Sequence, residues 1–148
     1  MPPALHGIHH LKFPVAELSR SLRFYEASLG ARRIESWDHR HADGSVYAFI
    51  LEVPGLGTHL ELRLDPDAAG RQAGFDPVTL AVADRASLSL WTEHLDRAGI
   101  AHSPILVALQ AWLVVFADPD GRRLRLYTLE THGPELPADE GSPWITGR

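Results

Sequence analysis

The strand Leu60-Glu61-Leu62-Arg63-Leu64, preceded by His59, sets chemistry-bearing side chains against leucines at every second position. Successive side chains of an extended strand point to opposite faces. The leucines therefore share one face, and His59, Glu61 and Arg63 share the other. The first strand, expected over His6 to Pro14, repeats the plan, with Ile8, His10 and Lys12 on one face and Leu11 and Phe13 on the other. Later strands place Thr79, Ala81, Arg123, Arg125 and Tyr127 on a comparable face. An imidazole or a carboxylate can move a proton, and a guanidinium can stabilise an oxyanion. Trp37, Tyr47, Phe49 and Trp112 are either core residues or aromatic walls for a ligand. The candidate ligand-binding set is thus His10, Trp37, Tyr47, Phe49, His59, Glu61, Arg63, Trp112, Arg125 and Tyr127. His10 and Glu61 are the catalytic candidates if the protein is an enzyme.

The remaining histidines invite plainer readings. His9 is expected to face away from His10 and to be satisfied locally. His39 and His41 flank a hairpin and alternate like a solvated strand end. His94, His102 and His132 lack a partner at ligand spacing. No nucleophile motif supports serine–histidine chemistry, and there is no glycine-rich phosphate loop.

Composition narrows the classes further. The chain has 148 residues, 45% of them hydrophobic, which suffices for one domain or two small fused modules. A net charge of -5 argues against nucleic acid as partner. With no cysteine, disulfides, thiolate metal sites and cysteine nucleophiles are excluded. No apolar run reaches the length of a membrane span, and residues 1 to 7 lack a signal-peptide pattern. A cytoplasmic protein is expected. Lys12 is the only lysine beside thirteen arginines, a skew that suggests a GC-rich bacterial genome.

Two helices position these strands. The first, about Glu17 to Leu29, carries Leu18, Leu22, Tyr25 and Leu29 as an apolar stripe, with Gly30 as its stop. The second, about Ala86 to Ala98, carries Leu88, Trp91, Leu95 and Ala98, and Gly99 ends it. Further strands are expected over Arg32 to Asp38, Val46 to Val53, Val78 to Val82, Ala101 to Leu106, Ala111 to Ala117 and Leu124 to Tyr127. Asp118-Pro119-Asp120-Gly121 is a tight turn by composition. The plan is β-α-β-β-β, twice. The first module covers residues 6–65, a linker 66–75, the second module 76–130, and a Pro- and Gly-rich tail 131–148. The tail is expected to fray unless Trp144 and Ile145 anchor it. Each helix covers one sheet face, so the leucine faces should pack beneath the helices and the polar faces should line a cavity.

His10 with Phe24-Tyr25 and Leu29-Gly30, the Thr58-His59-Leu60-Glu61-Leu62 strand, and Asp118-Pro119-Asp120-Gly121 before Leu124-Arg125-Leu126 resemble the vicinal oxygen chelate superfamily. That superfamily contains glyoxalase I, fosfomycin and bleomycin resistance proteins and extradiol dioxygenases. The resemblance covers roughly His6 to Glu130. It implies an α+β fold in which two βαβββ modules form a curled mixed sheet with helices on the outer face, and a homodimer. In metal-dependent relatives the first strand of each module supplies a His or similar ligand and the last strand a Glu. His10 and Glu61 fit two of those positions, while the other two fall on Pro77 and Arg125. Proline cannot ligate a metal through its side chain, and arginine is a fixed cation. If the modules pair as in the family, Arg125 would sit near Glu61 in place of the metal.

The expected function is therefore metal-free binding of a small molecule, aromatic or anionic, as in drug- and natural-product-sequestering resistance proteins. No cofactor is expected. One alternative is a metal-dependent glyoxalase-like lyase or isomerase, or an extradiol-type dioxygenase, using His10 and Glu61 with His59 as improvised third ligand. The other is a metal-free enzyme with Glu61 or His10 as acid or base.

Overall fold

The computed structural model describes residues 1–133 and 136–146. Of the tail expected over 131–148, residues 134, 135, 147 and 148 lie outside the described residues. The chain divides into two compact units, Met1–Arg71 and Gln72–Arg148. The boundary falls inside the stretch expected to be a linker.

The first unit runs β1 (His10–Val15), α1 (Leu18–Leu29), β2 (Arg32–Arg33), a 3-10 turn (Glu35–Trp37), β3 (His39–Arg40), β4 (Val46–Glu52), β5 (His59–Leu64) and α2 (Pro66–Arg71). Its strands lie in the order β1-β5-β4-β2, with β3 also against β4. β1 and β5 are parallel and the other pairs are antiparallel. A parallel pair needs a crossover, and α1 supplies it. α1 packs on β4 and β5. Its buried line is Ser21, Tyr25 and Ser28, with Leu18, Leu22 and Leu29 half-buried on the flanks. The stripe read from the sequence is thus centred one residue away, because two serines put small side chains where the helix faces the sheet. Gly30 ends α1 at φ 68°, and its N–H donates to the Glu26 carbonyl at 3.2 Å. Only glycine adopts that backbone without strain.

Two differences from the expected elements matter for the site. The strand expected over Arg32 to Asp38 is two residues long and then turns. Arg33 Nε donates to Asp38 Oδ1 at 3.0 Å, and a second guanidinium nitrogen pairs with Oδ2. This clamp closes the 3-10 turn and swings Trp37 out of the sheet edge. The expected linker begins with a helix, because Asp65 Oδ1 accepts from the Ala68 N–H at 3.0 Å and Pro66 suits the first helical position. Ala69 of α2 is buried, and α2 packs on β1.

The second unit runs β6 (Thr79–Val82), α3 (Arg85–Arg97), β7 (Leu106–Val107), β8 (Trp112–Ala117), β9 (Arg123–Thr128) and a short α4 (Pro143–Thr146). Its sheet order is β6-β9-β8-β7, with β6 and β9 parallel. The α+β plan of two βαβββ modules is what the structure shows, as two separate mixed sheets, neither closed. Leu88 and Leu95 are the buried residues of α3, above Leu124 and Leu126 of β9. The strand expected from Ala101 shrinks to β7 and one isolated bridge between His102 and Phe116. Pro104 has no N–H to give a ladder, and Ser103 Oγ accepts the Val115 N–H at 2.9 Å instead. Among the described residues no helix is long and apolar enough to cross a membrane.

The Asp118-Pro119-Asp120-Gly121 turn is a buried electrostatic joint. Asp118 Oδ1 accepts from the Asp120 and Arg122 N–H groups at 2.9 and 3.1 Å. Its Oδ2 accepts from Arg122, whose side chain is fully buried and also bonds Gln72 Oε1 at 2.9 Å. Gly121 sits at φ 80°, and a Cβ there would meet the Ala73 Cβ at 3.3 Å.

Two stability outcomes follow. Asp118→Ala takes the carboxylate away from the buried Arg122 guanidinium, and urea denaturation should show a loss of about 3–5 kcal/mol. Asp84 caps α3 by accepting from Ser87 Oγ at 2.7 Å and Ser87 N at 2.8 Å. Those bonds hold its carboxyl below the usual aspartate range. A depressed folded pKa stabilises above the unfolded pKa and ceases to do so as pH falls through the folded one. Asp84→Ala should therefore melt below the parent at neutral pH, and the two melting curves should converge in acid.

Candidate functional site

The parallel register sets His10 beside His59 and Lys12 beside Glu61. The antiparallel register sets Ile50 beside Glu61 and Ala48 beside Arg63. These residues share the sheet face turned away from α1. On that face lies a cavity of about 360 Å³, lined by His9, His10, Trp37, His39, Ile50, His59 and Glu61. Its volume falls in the range of small-molecule sites.

Glu61 is 1% exposed. Burying a carboxylate is costly unless it is paired and hydrogen-bonded. Arg63, two residues along the same strand, supplies that bond, with Nε donating to Glu61 Oε2 at 2.7 Å. The other oxygen, Oε1, faces His10 Nε2 at 3.7 Å and His39 Nδ1 at 3.9 Å. Both imidazoles keep about a third of their surface exposed. His9 Nδ1 lies 3.0 Å from His10 Nδ1, so one of these two nitrogens donates and the other accepts. Trp37 stands edge-on to His59 with ring centres 5.1 Å apart, and it stays half exposed. The wall is thus an indole and an isoleucine, and the polar end is a carboxylate ringed by imidazoles.

Of the residues expected at the site, the cavity gathers His10, Trp37, His59 and Glu61, with Arg63 bonded behind Glu61. Tyr47 sits just outside, packed between His39 and His41 and under the Arg63 guanidinium at 5.4 Å. Phe49 corrects the reading of the sequence. It pairs with Leu62 on the helix-facing side, is 6% exposed, and packs under the Arg33 guanidinium at 3.9 Å. His9 and His39, read as packed or solvated, both line the cavity. His9 precedes the first strand residue, so strand alternation does not constrain it. His39 is brought in by the Arg33–Asp38 clamp, a contact that spacing alone does not announce.

In the second unit, Trp112 lies edge-on to His132, with the Arg85 guanidinium 5.9 Å from its ring centre. Tyr127 pairs with Leu113. Arg125 forms an ion pair with Asp76, 3.0 Å from Nε to Oδ2. Thr79 stands beside Arg125 as Lys12 stands beside Glu61. By register, Arg125 is therefore the counterpart of Glu61, and Pro77 that of His10.

These donors do not make a metal centre as they stand. Arg63 occupies one oxygen of Glu61, and among the described residues no three His, Asp or Glu side chains are grouped to hold an ion. His59, expected as the improvised third ligand, instead packs against Trp37. The imidazole facing Glu61 alongside His10 is His39.

A family model described as the Glyoxalase/Bleomycin resistance protein/Dioxygenase superfamily matches residues 7–126. "Putative ring-cleaving dioxygenase MhqA" of Bacillus subtilis is 27% identical over 126 residues, covering 82% of this chain and 40% of that protein. The chain thus spans about two-fifths of that relative's length. Among solved structures, a glyoxylase/bleomycin resistance protein/dioxygenase domain from Frankia sp. EAN1pec superposes at TM-score 0.66 with 22% identity, over 84% of this chain and 98% of that one. TnmS3, an antibiotic-binding protein from Streptomyces sp. CB03234, gives 0.66 and 19%, over 86% and 98%. The fosfomycin resistance protein FosX of Listeria monocytogenes gives 0.66 and 15%, over 84% and 92%. At these identities the structural likeness is one of fold.

The Glu61–Arg63 bond can be measured directly. Arg63→Met strands a buried carboxylate and should cost about 1–3 kcal/mol in urea denaturation. Glu61→Gln should relieve most of that cost, so the double variant should be more stable than the sum of the single losses implies.

Proposed function

The chain belongs to the glyoxalase/bleomycin resistance protein/dioxygenase superfamily, and from that premise we propose that the first unit's cavity binds a small aromatic molecule without a metal. The observation that carries this reading is the state of Glu61, whose Oε2 already accepts a 2.7 Å hydrogen bond from Arg63. A cation fixed within the chain thus sits on a carboxylate that metal-dependent members are expected to use as a ligand. What is left for a ligand is a half-exposed indole, Ile50 and the imidazoles of His10 and His39. Trp37 offers a stacking wall, and the imidazoles offer donors to a phenol or a carbonyl. Such a site sequesters its ligand unchanged, as expected for a resistance-type protein. The antibiotic-binding TnmS3, which shares the fold, is in keeping with that role.

Two observations favour a second reading, in which a divalent metal supports lyase or ring-cleaving chemistry. Two imidazole nitrogens face the same oxygen of Glu61, and the curated relative is named for ring cleavage. In this reading His39 would have to close on His10 and Glu61 to hold the ion, since among the described residues no three such side chains are grouped for it as they stand, and the ion would serve as a Lewis acid.

Titration with catechol and with polycyclic phenols, in chelator, separates the two. Binding should quench tryptophan fluorescence, Trp37→Phe should abolish most of the quench, and chromatography should recover the phenol intact. Turnover that appears only with an added divalent ion and is lost in His10→Ala would replace the binder with the metal-dependent reading. Turnover in chelator, lost in Glu61→Gln, would make the site a metal-free acid–base centre.

A further inference from the structure

The second unit has its own open-face equivalent, and the chain's tail fills it. Val115 pairs with Arg125 as Ile50 pairs with Glu61, and Leu113 pairs with Tyr127 as Ala48 pairs with Arg63. Val115 therefore stands where Ile50 lines the first unit's cavity, with Leu113 beside it on the same face. Here they form a buried apolar cluster with Leu106 and Ala108, and Trp144 and Ile145 of α4 pack onto it together with Tyr127.

The tail reaches this position along the β7–β8 hairpin. His132 N donates to the Gln110 carbonyl, Leu136 N to Leu109 and Asp139 N to Val107, each at 2.9 Å. Asp139 Oδ2 accepts the Val107 N–H at 2.7 Å. The guanidinium of Arg123, on the same face of β9 as Arg125, closes the arrangement by donating to the carbonyls of Pro143 and Trp144.

We infer that this face of the second unit is a small-molecule site that the tail occupies, and that its ligand is a flat aromatic ring bearing a carbonyl oxygen. The tail displays the required chemistry itself, with an indole on an aliphatic floor and two carbonyls on Arg123. Its hold is suited to exchange. α4 has four residues, too few to be a stable helix alone, and Trp144 and Ile145 remain half-buried. A tethered segment competes at a high effective concentration, so the closed tail lowers the apparent affinity for any free ligand.

N-acetyl-tryptophanamide, which carries an indole and two amide carbonyls, is a suitable probe. In the full-length chain, the double substitution Trp144→Ala with Ile145→Ala should add one bound probe per chain, at least about tenfold tighter than the parent binds it at this face. Adding Arg123→Ala should remove that extra site. In the unaltered chain, millimolar probe should speed hydrogen exchange at the amides of Leu136 and Asp139, and should do so equally in Trp37→Phe. A folded double variant with no added site, or an added site indifferent to Arg123→Ala, overturns the proposal. If the double variant does not fold, exchange in the unaltered chain decides, and unchanged protection at Leu136 and Asp139 overturns it.

Discussion

The parallel pairing of β1 with β5 is the constraint on which the first unit depends. Parallel neighbours cannot be joined by a tight turn, so the chain must leave the sheet, cross over it and return. α1 makes that crossing on one face, and the cavity opens on the other. The same pairing lays His10 beside His59 and Lys12 beside Glu61, residues about fifty positions apart in sequence. The site is a consequence of the topology before it is a consequence of any particular side chain. β6 and β9 impose the same logic on the second unit.

Once Glu61 is placed on that face and buried, its charge must be answered locally. Desolvating a carboxylate costs several kcal/mol even after relaxation, and the hydrogen bond from Arg63 on the same strand is the nearest compensation. An i, i+2 pair on one strand face needs no tertiary adjustment to form. The two imidazoles at 3.7 and 3.9 Å are beyond hydrogen-bond reach of Oε1. They can therefore turn toward a ligand without breaking a bond that holds the fold. Structural duty falls to Arg63, and the histidines stay available.

The elements legible in the sequence were those whose pattern is local. β5 alternates leucine with charge, α1 and α3 carry helical stripes, and Gly30 takes the left-handed backbone that ends α1. The face of Phe49 is not legible locally, because Val46 to Leu51 is apolar at every position and such a run does not reveal its own faces. Only pairing with Leu62 does that. Trp37 and His39 owe their positions to the Arg33–Asp38 clamp, which spans a turn that composition presented as continuous strand. The tail's prolines and glycines favour fraying, and the alternative that Trp144 and Ile145 offer is the one the structure shows, with Arg123 bonded to their segment. In each case a contact between distant residues overrode a local propensity.

The two units show how one backbone plan supports two different surfaces. Register makes Arg125 the counterpart of Glu61, Pro77 that of His10, and Val115 that of Ile50. The first face is a carboxylate among imidazoles, with an indole at its edge. The second is aliphatic, with guanidinium groups along β9, and such a surface matches carbonyl oxygens and flat rings better than it matches a cation. Left bare, its apolar floor would be an exposed hydrophobic patch, and such patches usually mark an interaction site. A tail that supplies an indole and two carbonyls meets both demands, since it shields the floor and leaves the guanidinium of Arg123 hydrogen-bonded. The difference between an open face and a covered one therefore follows from which side chains the repeated strands present, and the crossover topology common to both units leaves it undetermined.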